Sequence, residues 1–166
     1  MRNGILTIDE KKEEKFLRKK TSDFDFGKFE KKEVAELVSR MRRIMREANG
    51  IGLSANQIGL DMKVFVAEIP DARGGTKFYS VFNPTLEKVG DEKVVYEEGC
   101  LSIPGTWGDV ERTEQIVVNA FDKRGKPVKF KAWGLLARVF QHEMDHLDGK
   151  VFTDRTKKVH KAETNS

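Results

Sequence analysis

Trp133-Gly134-Leu135-Leu136-Ala137-Arg138-Val139-Phe140-Gln141-His142-Glu143-Met144-Asp145-His146-Leu147-Asp148-Gly149 is the stretch on which the reading of this chain turns. Trp133, Leu135, Leu136, Val139, Phe140 and Leu147 fall at spacings that give a helix one broad apolar face. Gly149 stands where a helix C-terminus takes a left-handed residue. Inside this helix His142 and His146 are four apart, with Glu143 directly after the first, the pattern H-E-x-x-H. Residues i and i+4 stack on one face of an α-helix. Both imidazoles can therefore reach one metal ion, and Glu143 can reach a water on it. The bland alternative is a pair of half-buried helix histidines. Two of the chain's three histidines are here, on a helix that is otherwise apolar. Burying imidazoles and carboxylates without partners is costly, and a metal removes that cost.

Around this helix the composition sets bounds. A chain of 166 residues suffices for one domain with a real core. No apolar run approaches the roughly 20 residues that cross a bilayer, and the N-terminus lacks an apolar signal core. The lone cysteine excludes an internal disulfide and suits a reducing compartment. A cytoplasmic protein is expected. Lys plus Arg total 31 against 27 Asp plus Glu, a net charge of +4. The signs are interleaved, as in Glu10-Lys11-Lys12-Glu13-Glu14-Lys15, so a solvated surface is expected rather than a nucleic-acid groove. The local excess lies at the end, where Arg155, Lys157, Lys158 and Lys161 outnumber Asp154 and Glu163. We read 153–166 as a polar, mildly basic, disordered tail in preference to an RNA-binding arm, and 1–152 as a single catalytic domain.

The remaining elements follow from periodicity. Val34, Leu37, Val38, Met41, Ile44, Met45 and Ala48 predict a packing helix over 30–48, ended by Gly50. Its methionines are core, not ligands. Gly50-Ile51-Gly52-Leu53-Ser54-Ala55-Asn56-Gln57 superficially matches a dinucleotide fingerprint, but it follows a helix and leads to a strand, the reverse of what that site needs. Its glycines instead permit unusual backbone angles and close approach of another chain. Residues 63–69, 78–82, 86–89 and 93–97 read as short strands, and 114–122 with 128–133 as a hairpin around Lys123-Arg124-Gly125-Lys126. One helix, several strands and a second helix make an α+β fold, with antiparallel or mixed sheets around a C-terminal metal-binding helix and an N-terminal packing helix.

An open hydrolytic site needs three protein ligands and a water. The metzincin spacing would place the third at Phe152, which cannot coordinate. A thermolysin-like downstream glutamate could only be Glu163, three residues from the end. The third donor has to come from upstream, and Cys100, between Gly99 and Leu101, is the best available.

Gly50–Gln57, Glu98-Gly99-Cys100-Leu101-Ser102 and Gln141–His146 together resemble the three motifs of peptide deformylase, in the same order and at similar spacing. The resemblance runs from about Ile5 to Phe152. It departs at Ser54, where the family usually has alanine, a change of one hydroxyl expected to be tolerated. It departs also in the short polar stretch after Phe152, unlike the C-terminal helix with which some members dock on the ribosome.

The resemblance implies a metal-dependent hydrolase that removes the formyl group from the N-terminal formylmethionine of newly made polypeptides. Cys100, His142 and His146 would hold the metal, with Glu143 as general acid and base. Gln57 and the backbone N–H of Leu101 would stabilise the oxyanion. The methionine side chain would enter an apolar pocket of Ile51, Tyr96, Leu135 and Val139, with the stem of Arg138 on one wall. The substrate backbone would pair as an added strand along Gly50–Gly52, with Glu98 and Gly99 also on the substrate side. Trp107 is expected either at the mouth or in a packing role, and Arg112 as a charge partner of Glu98 or Asp145. The expected cofactor is one divalent ion per chain, ferrous iron in the cell, with zinc, nickel or cobalt as alternatives. Expected partners are N-formylmethionyl nascent peptides and a transient ribosome contact, with no membrane and no specific nucleic acid. Two rivals stand beside this: an H-E-x-x-H zinc peptidase, and a non-catalytic deformylase-like protein that binds peptide or ribosome.

Overall fold

The computed structural model describes residues 1–162. Its central element is a five-stranded antiparallel sheet of β1 (Gly52–Ser54), β2 (Val64–Pro70), β3 (Thr76–Lys88), β6 (Gln115–Phe121) and β7 (Pro127–Trp133), in that spatial order. β2 is buried along nearly its whole length because both faces of this sheet are covered. Val64 and Val66 meet one core with α2 (Lys31–Glu47), through Val34, Val38, Met41, Ile44 and Met45. Phe65, Ala67 and Ile69 meet a second core with α3 (Gly134–Leu147), through Ala137, Val139, Phe140 and Leu147. The alternation along one strand thus places the H-E-x-x-H helix on one face and the packing helix on the other.

A smaller sheet joins β4 (Lys93–Cys100), β5 (Ile103–Thr113) and β8 (Val159–Lys161), all antiparallel. It carries Cys100 at its end, where the chain turns through Leu101 and Ser102 into β5. A short helix α1 (Lys11–Leu17) completes the set, and among the described residues no helix is long and apolar enough to cross a membrane.

The structure corrects several expectations. Residues 78–82 and 86–89 are not two strands; β3 runs through, with its register shifting between Phe82 and Thr85. Asn83 absorbs the irregularity at φ 49°, and its amide both accepts from Phe24 N and donates to Phe24 O. β5 was not foreseen, because Pro104, Gly105 and Gly108 read as breakers. Gly108 is there for close approach: a Cβ would lie 2.8 Å from the Lys158 carbonyl oxygen. The chain end therefore packs on β5 through β8, and the disordered tail is replaced by structure through residue 162; 163–166 lie outside the described residues. α2 ends at Glu47, and Asn49, at φ 55°, takes the left-handed place expected of Gly50. Trp133 caps α3 from outside and is 68% exposed, not part of its buried face.

Gly149 does end α3 as expected, at φ 74°, and a Cβ there would fall 2.3 Å from the Arg18 carbonyl oxygen. Left-handed backbone and a backbone clash act together, so Gly149→Ala is expected to cost about 2 kcal/mol. Thermal unfolding should show Tm lower by roughly 4–8 °C in a domain of this size. An unchanged Tm would mean that the turn after α3 is free to move.

Candidate metal centre and active site

Two buried carboxylates and two arginines explain why β4 meets α3. Arg112 on β5 forms a bidentate pair with Glu98 on β4 (Nε–Oε1 and Nη2–Oε2, both 2.8 Å) and reaches Asp145 on α3 at 2.5 Å. Arg155, from the segment after α3, holds Asp145 from the other side at 2.5 Å. Arg112, Glu98 and Asp145 are all nearly sealed from solvent. Such a network adds little net stability, but removing one member leaves an unpaired buried charge, so it enforces one geometry. Arg112 is thus partner to both Glu98 and Asp145. Because Glu98 lies two residues before Cys100 and Asp145 one before His146, that geometry brings the sulfur to the imidazoles.

Cys100 Sγ lies 3.1 Å from His146 Nε2, and one donor atom from each of Cys100, His142 and His146 lies within 4.8 Å of the others. His142 Nδ1 is 2.9 Å from Glu98 Oε2. Burial pushes the Glu98 carboxyl up, but Arg112 and His142 outweigh it and hold it down to about 2. An ionised Glu98 only accepts, so His142 donates to it from Nδ1 and turns Nε2 toward the cluster. Burial also pushes the Cys100 thiol up and the His142 imidazole down. His146 and then His142 outweigh burial at the sulfur and hold Cys100 down to about 5, while Cys100 and Glu98 outweigh it at His142 and raise that imidazole well above its usual value. A thiolate and two imidazoles, one fixed in tautomer by a carboxylate, are a donor set suited to a divalent transition metal with one position left open. The residues present fit the group.

Glu143 lies beside this cluster, 3% exposed, with Oε2 accepting from Ser54 Oγ at 2.7 Å. Burial raises its carboxyl, against the pull of both imidazoles and Ser54. Gln57 sits in the 3-10 turn Ala55–Ile58 that follows β1, and is 2% exposed. Its Oε1 accepts from Ser54 N at 2.9 Å, which fixes the amide so that Nε2 faces Ser102 Oγ at 3.1 Å and Cys100 Sγ at 3.8 Å. The glycines of Gly50-Ile51-Gly52 serve close approach and not unusual angles, for neither is at positive φ. A Cβ on Gly52 would lie 2.3 Å from Glu143 Oε1, and one on Gly50 2.7 Å from Leu101 Cδ1.

A cavity of about 510 Å³ opens over these groups. Ile51, Gly52, Gly99, Leu101, Arg138 and Val139 line it, together with Gln57, Cys100, His142 and Glu143. Trp107 lies on its rim, against the face of Gly99. Two expected pocket residues are not brought there. Leu135 is on the correct face of α3 but about 10 Å along the axis from His142, and packs into the core behind. Tyr96 is about 13 Å along β4 from Cys100; its hydroxyl donates to Glu114 and its ring lies under the Arg138 guanidinium. Glu98 touches the cavity wall, yet its carboxylate is turned inward to Arg112 and His142 and not toward a peptide. The sequence reading missed Arg2, Asn3 and Ile5 on the rim, which no local pattern marks, and Ser102, which stood unremarked inside a quoted motif.

The polypeptide deformylase family model matches residues 4–162. The chain belongs to the polypeptide deformylase family. It is therefore a hydrolase of a metal-dependent family whose members remove the formyl group from N-formylmethionine peptides. Peptide deformylase 1 of Bacillus subtilis is 44% identical over 130 residues, 78% of either chain. Among similar bacterial deformylases the matches span from 61% to 86% of the relative's own length. A probable peptide deformylase from Synechococcus phage S-SSM7 shares the fold with a TM-score of 0.82 at 39% identity, covering 92% of this chain and 98% of that one. A Met-Ala-Ser-bound class I type b deformylase from Acinetobacter baumannii matches with a TM-score of 0.82 at 28% identity, covering 92% and 96%. The deformylase fold seen in these structures is the α+β arrangement described above.

Proposed function

We propose that this deformylase acts on formylmethionyl nascent peptides with Cys100, His142 and His146 holding one divalent metal, Glu143 as general base and acid, and Gln57 with the Leu101 N–H as oxyanion donors. The observation that carries the reading is the convergence of one sulfur and two imidazoles from β4 and α3 within 4.8 Å, with Glu143 buried beside them. When bound, the metal supplies a Lewis acid that makes water acidic enough to ionise near neutral pH, a shift from about 15.7 to about 7 in the best-known zinc site. Glu143 takes the proton of the attacking water as it adds to the formyl carbon. Gln57 Nε2 and the Leu101 N–H donate to the formyl oxygen as it becomes negative. Glu143 then gives the proton to the departing amine nitrogen, and formate and a free N-terminal methionine result.

Ile51, Val139 and the stem of Arg138 line the place for the methionine side chain, and Gly50–Gly52 and Gly99 offer backbone for the peptide to pair with. The Met-Ala-Ser peptide of the Acinetobacter structure supports a methionine-first substrate. We take 1–152 as the catalytic core, with the segment through residue 162 packed on it by Arg155 and β8. We place the enzyme in the cytoplasm, meeting its substrate in transient contact with the ribosome. Ferrous iron is the proposed metal in the cell; with a thiolate ligand, activity should then decay in air.

The test is formate release from a formyl-Met peptide by anaerobically purified protein, with an unformylated control left intact. Cleavage of internal peptide bonds instead would restore the zinc-peptidase reading, and failure to bind any divalent metal the non-catalytic one. Gln57→Leu is expected to keep fold and metal while turnover falls roughly 10²–10³-fold, the cost of one lost oxyanion donor. Near-normal turnover would remove Gln57 from the mechanism.

A further inference from the structure

We propose that Ser54 is a positioning residue for Glu143: its hydroxyl holds carboxylate oxygen Oε2 and leaves Oε1 to carry the proton. The proposal rests on the reading of Glu143 as general base and goes one step further, to which of its oxygens works. Ser54 closes β1 and is fully buried, 0% exposed. Alanine would fill the same space; the hydroxyl is the only difference.

That hydroxyl has two acceptors within reach, Glu143 Oε2 at 2.7 Å and the Glu143 backbone oxygen at 3.0 Å. A serine has one proton to donate. The shorter bond to the charged acceptor takes it, since hydrogen bonds to ionised groups are the shorter and stronger kind. Were the hydroxyl only a buried polar group needing satisfaction, the carbonyl would serve. Instead the proton goes to the side chain and holds it against β1.

The other oxygen is located by Gly52. Oε1 occupies the space in which a Cβ of residue 52 would lie, at 2.3 Å from it, and Gly52 lines the cavity. Among the described residues no side chain donates to Oε1. The carboxylate is thus clamped at one oxygen and open at the other, on the side where a peptide would lie along Gly50–Gly52. Ser54 also reaches the second half of the machinery, because its backbone N–H holds the Gln57 carbonyl. Substituting the side chain leaves that backbone bond in place, so the two roles separate cleanly.

The experiment compares wild type, Ser54→Ala, Ser54→Thr and Glu143→Gln for kcat, KM on a formyl-Met peptide, metal stoichiometry and Tm. Ser54→Ala is expected to lower kcat about 10-fold, the scale of losing one hydrogen bond to a charged group, with KM and metal content unchanged. Ser54→Thr, which keeps the hydroxyl, should recover most of that loss. A Ser54→Ala enzyme with wild-type kcat, or a threonine variant as slow as the alanine one, overturns the proposal. So does a fall in kcat matched by equal loss of metal or by a collapse in Tm, which marks a packing role. Glu143→Gln keeps the two failures apart. If it retains turnover, the reading of Glu143 falls; if it is inactive while Ser54→Ala is normal, only the clamp falls.

Discussion

Glu143→Ala should stop formate release, with kcat falling by about 10⁴-fold, the upper end for loss of a positioned proton-transfer group. The upper end is expected because in the proposed mechanism one carboxylate serves twice, taking the water's proton and returning it to the amine. No other ionisable side chain among the described residues is placed beside the donor cluster to substitute: Glu98 and Asp145 are both bound to arginines. The fold should not suffer. Glu143 is a buried carboxylate whose burial already works against its ionised form, and its side chain has one hydrogen-bond partner. Removing it relieves a desolvation cost, so Tm should stay level or rise, as when a catalytic group is deleted at the expense of function. Metal content should be unchanged, since the three donors remain. Stopped-assay kinetics, elemental analysis and a melting curve on one preparation check all three. Turnover near wild type would refute the assigned role.

Cys100→Ala is expected to lose both metal and activity, and for a different reason. The two histidines alone lie on adjacent turns of one helix, ring centroids 5.0 Å apart, and cannot surround a cation. Loss of an outer partner to a ligand typically costs about 10–100-fold in affinity; loss of a ligand should exceed that and leave the dialysed protein nearly metal-free. β4 should nevertheless stay in place, because Glu98, Arg112 and Asp145 hold it to α3 without the sulfur. Full metal content in this variant would mean that the third donor lies elsewhere.

Much of this site was legible because its parts are local in sequence. His142, Glu143 and His146 share helix spacing, and the apolar run around them gives the helix its face. Cys100 became a ligand candidate only by exclusion of downstream donors, and what carries it to the helix is not local at all. Arg112 was foreseen as partner to Glu98 or Asp145; that it joins both at once, with Arg155 behind, belongs to tertiary structure. Leu135 and Tyr96, placed in the pocket on the strength of the resemblance, lie too far along α3 and β4 from the donors to reach it. β5 was hidden because glycine and proline near its start read as a loop, yet Gly108 makes room for Lys158. The tail's charge pattern spoke for solvent, whereas buried Phe152 and the Arg155 pair with Asp145 anchor its beginning.

In the proposed site a sulfur from β4 and two ring nitrogens from α3 grip one cation that keeps an open position. Metal-edge X-ray absorption on anaerobically purified, deformylase-active protein tests it most directly. For zinc-loaded protein the account predicts one sulfur neighbour at about 2.3 Å and two imidazole nitrogens at about 2.0–2.1 Å, with the sulfur signal gone in Cys100→Ala. A metal coordinated only by nitrogen and oxygen in the active wild type would contradict it.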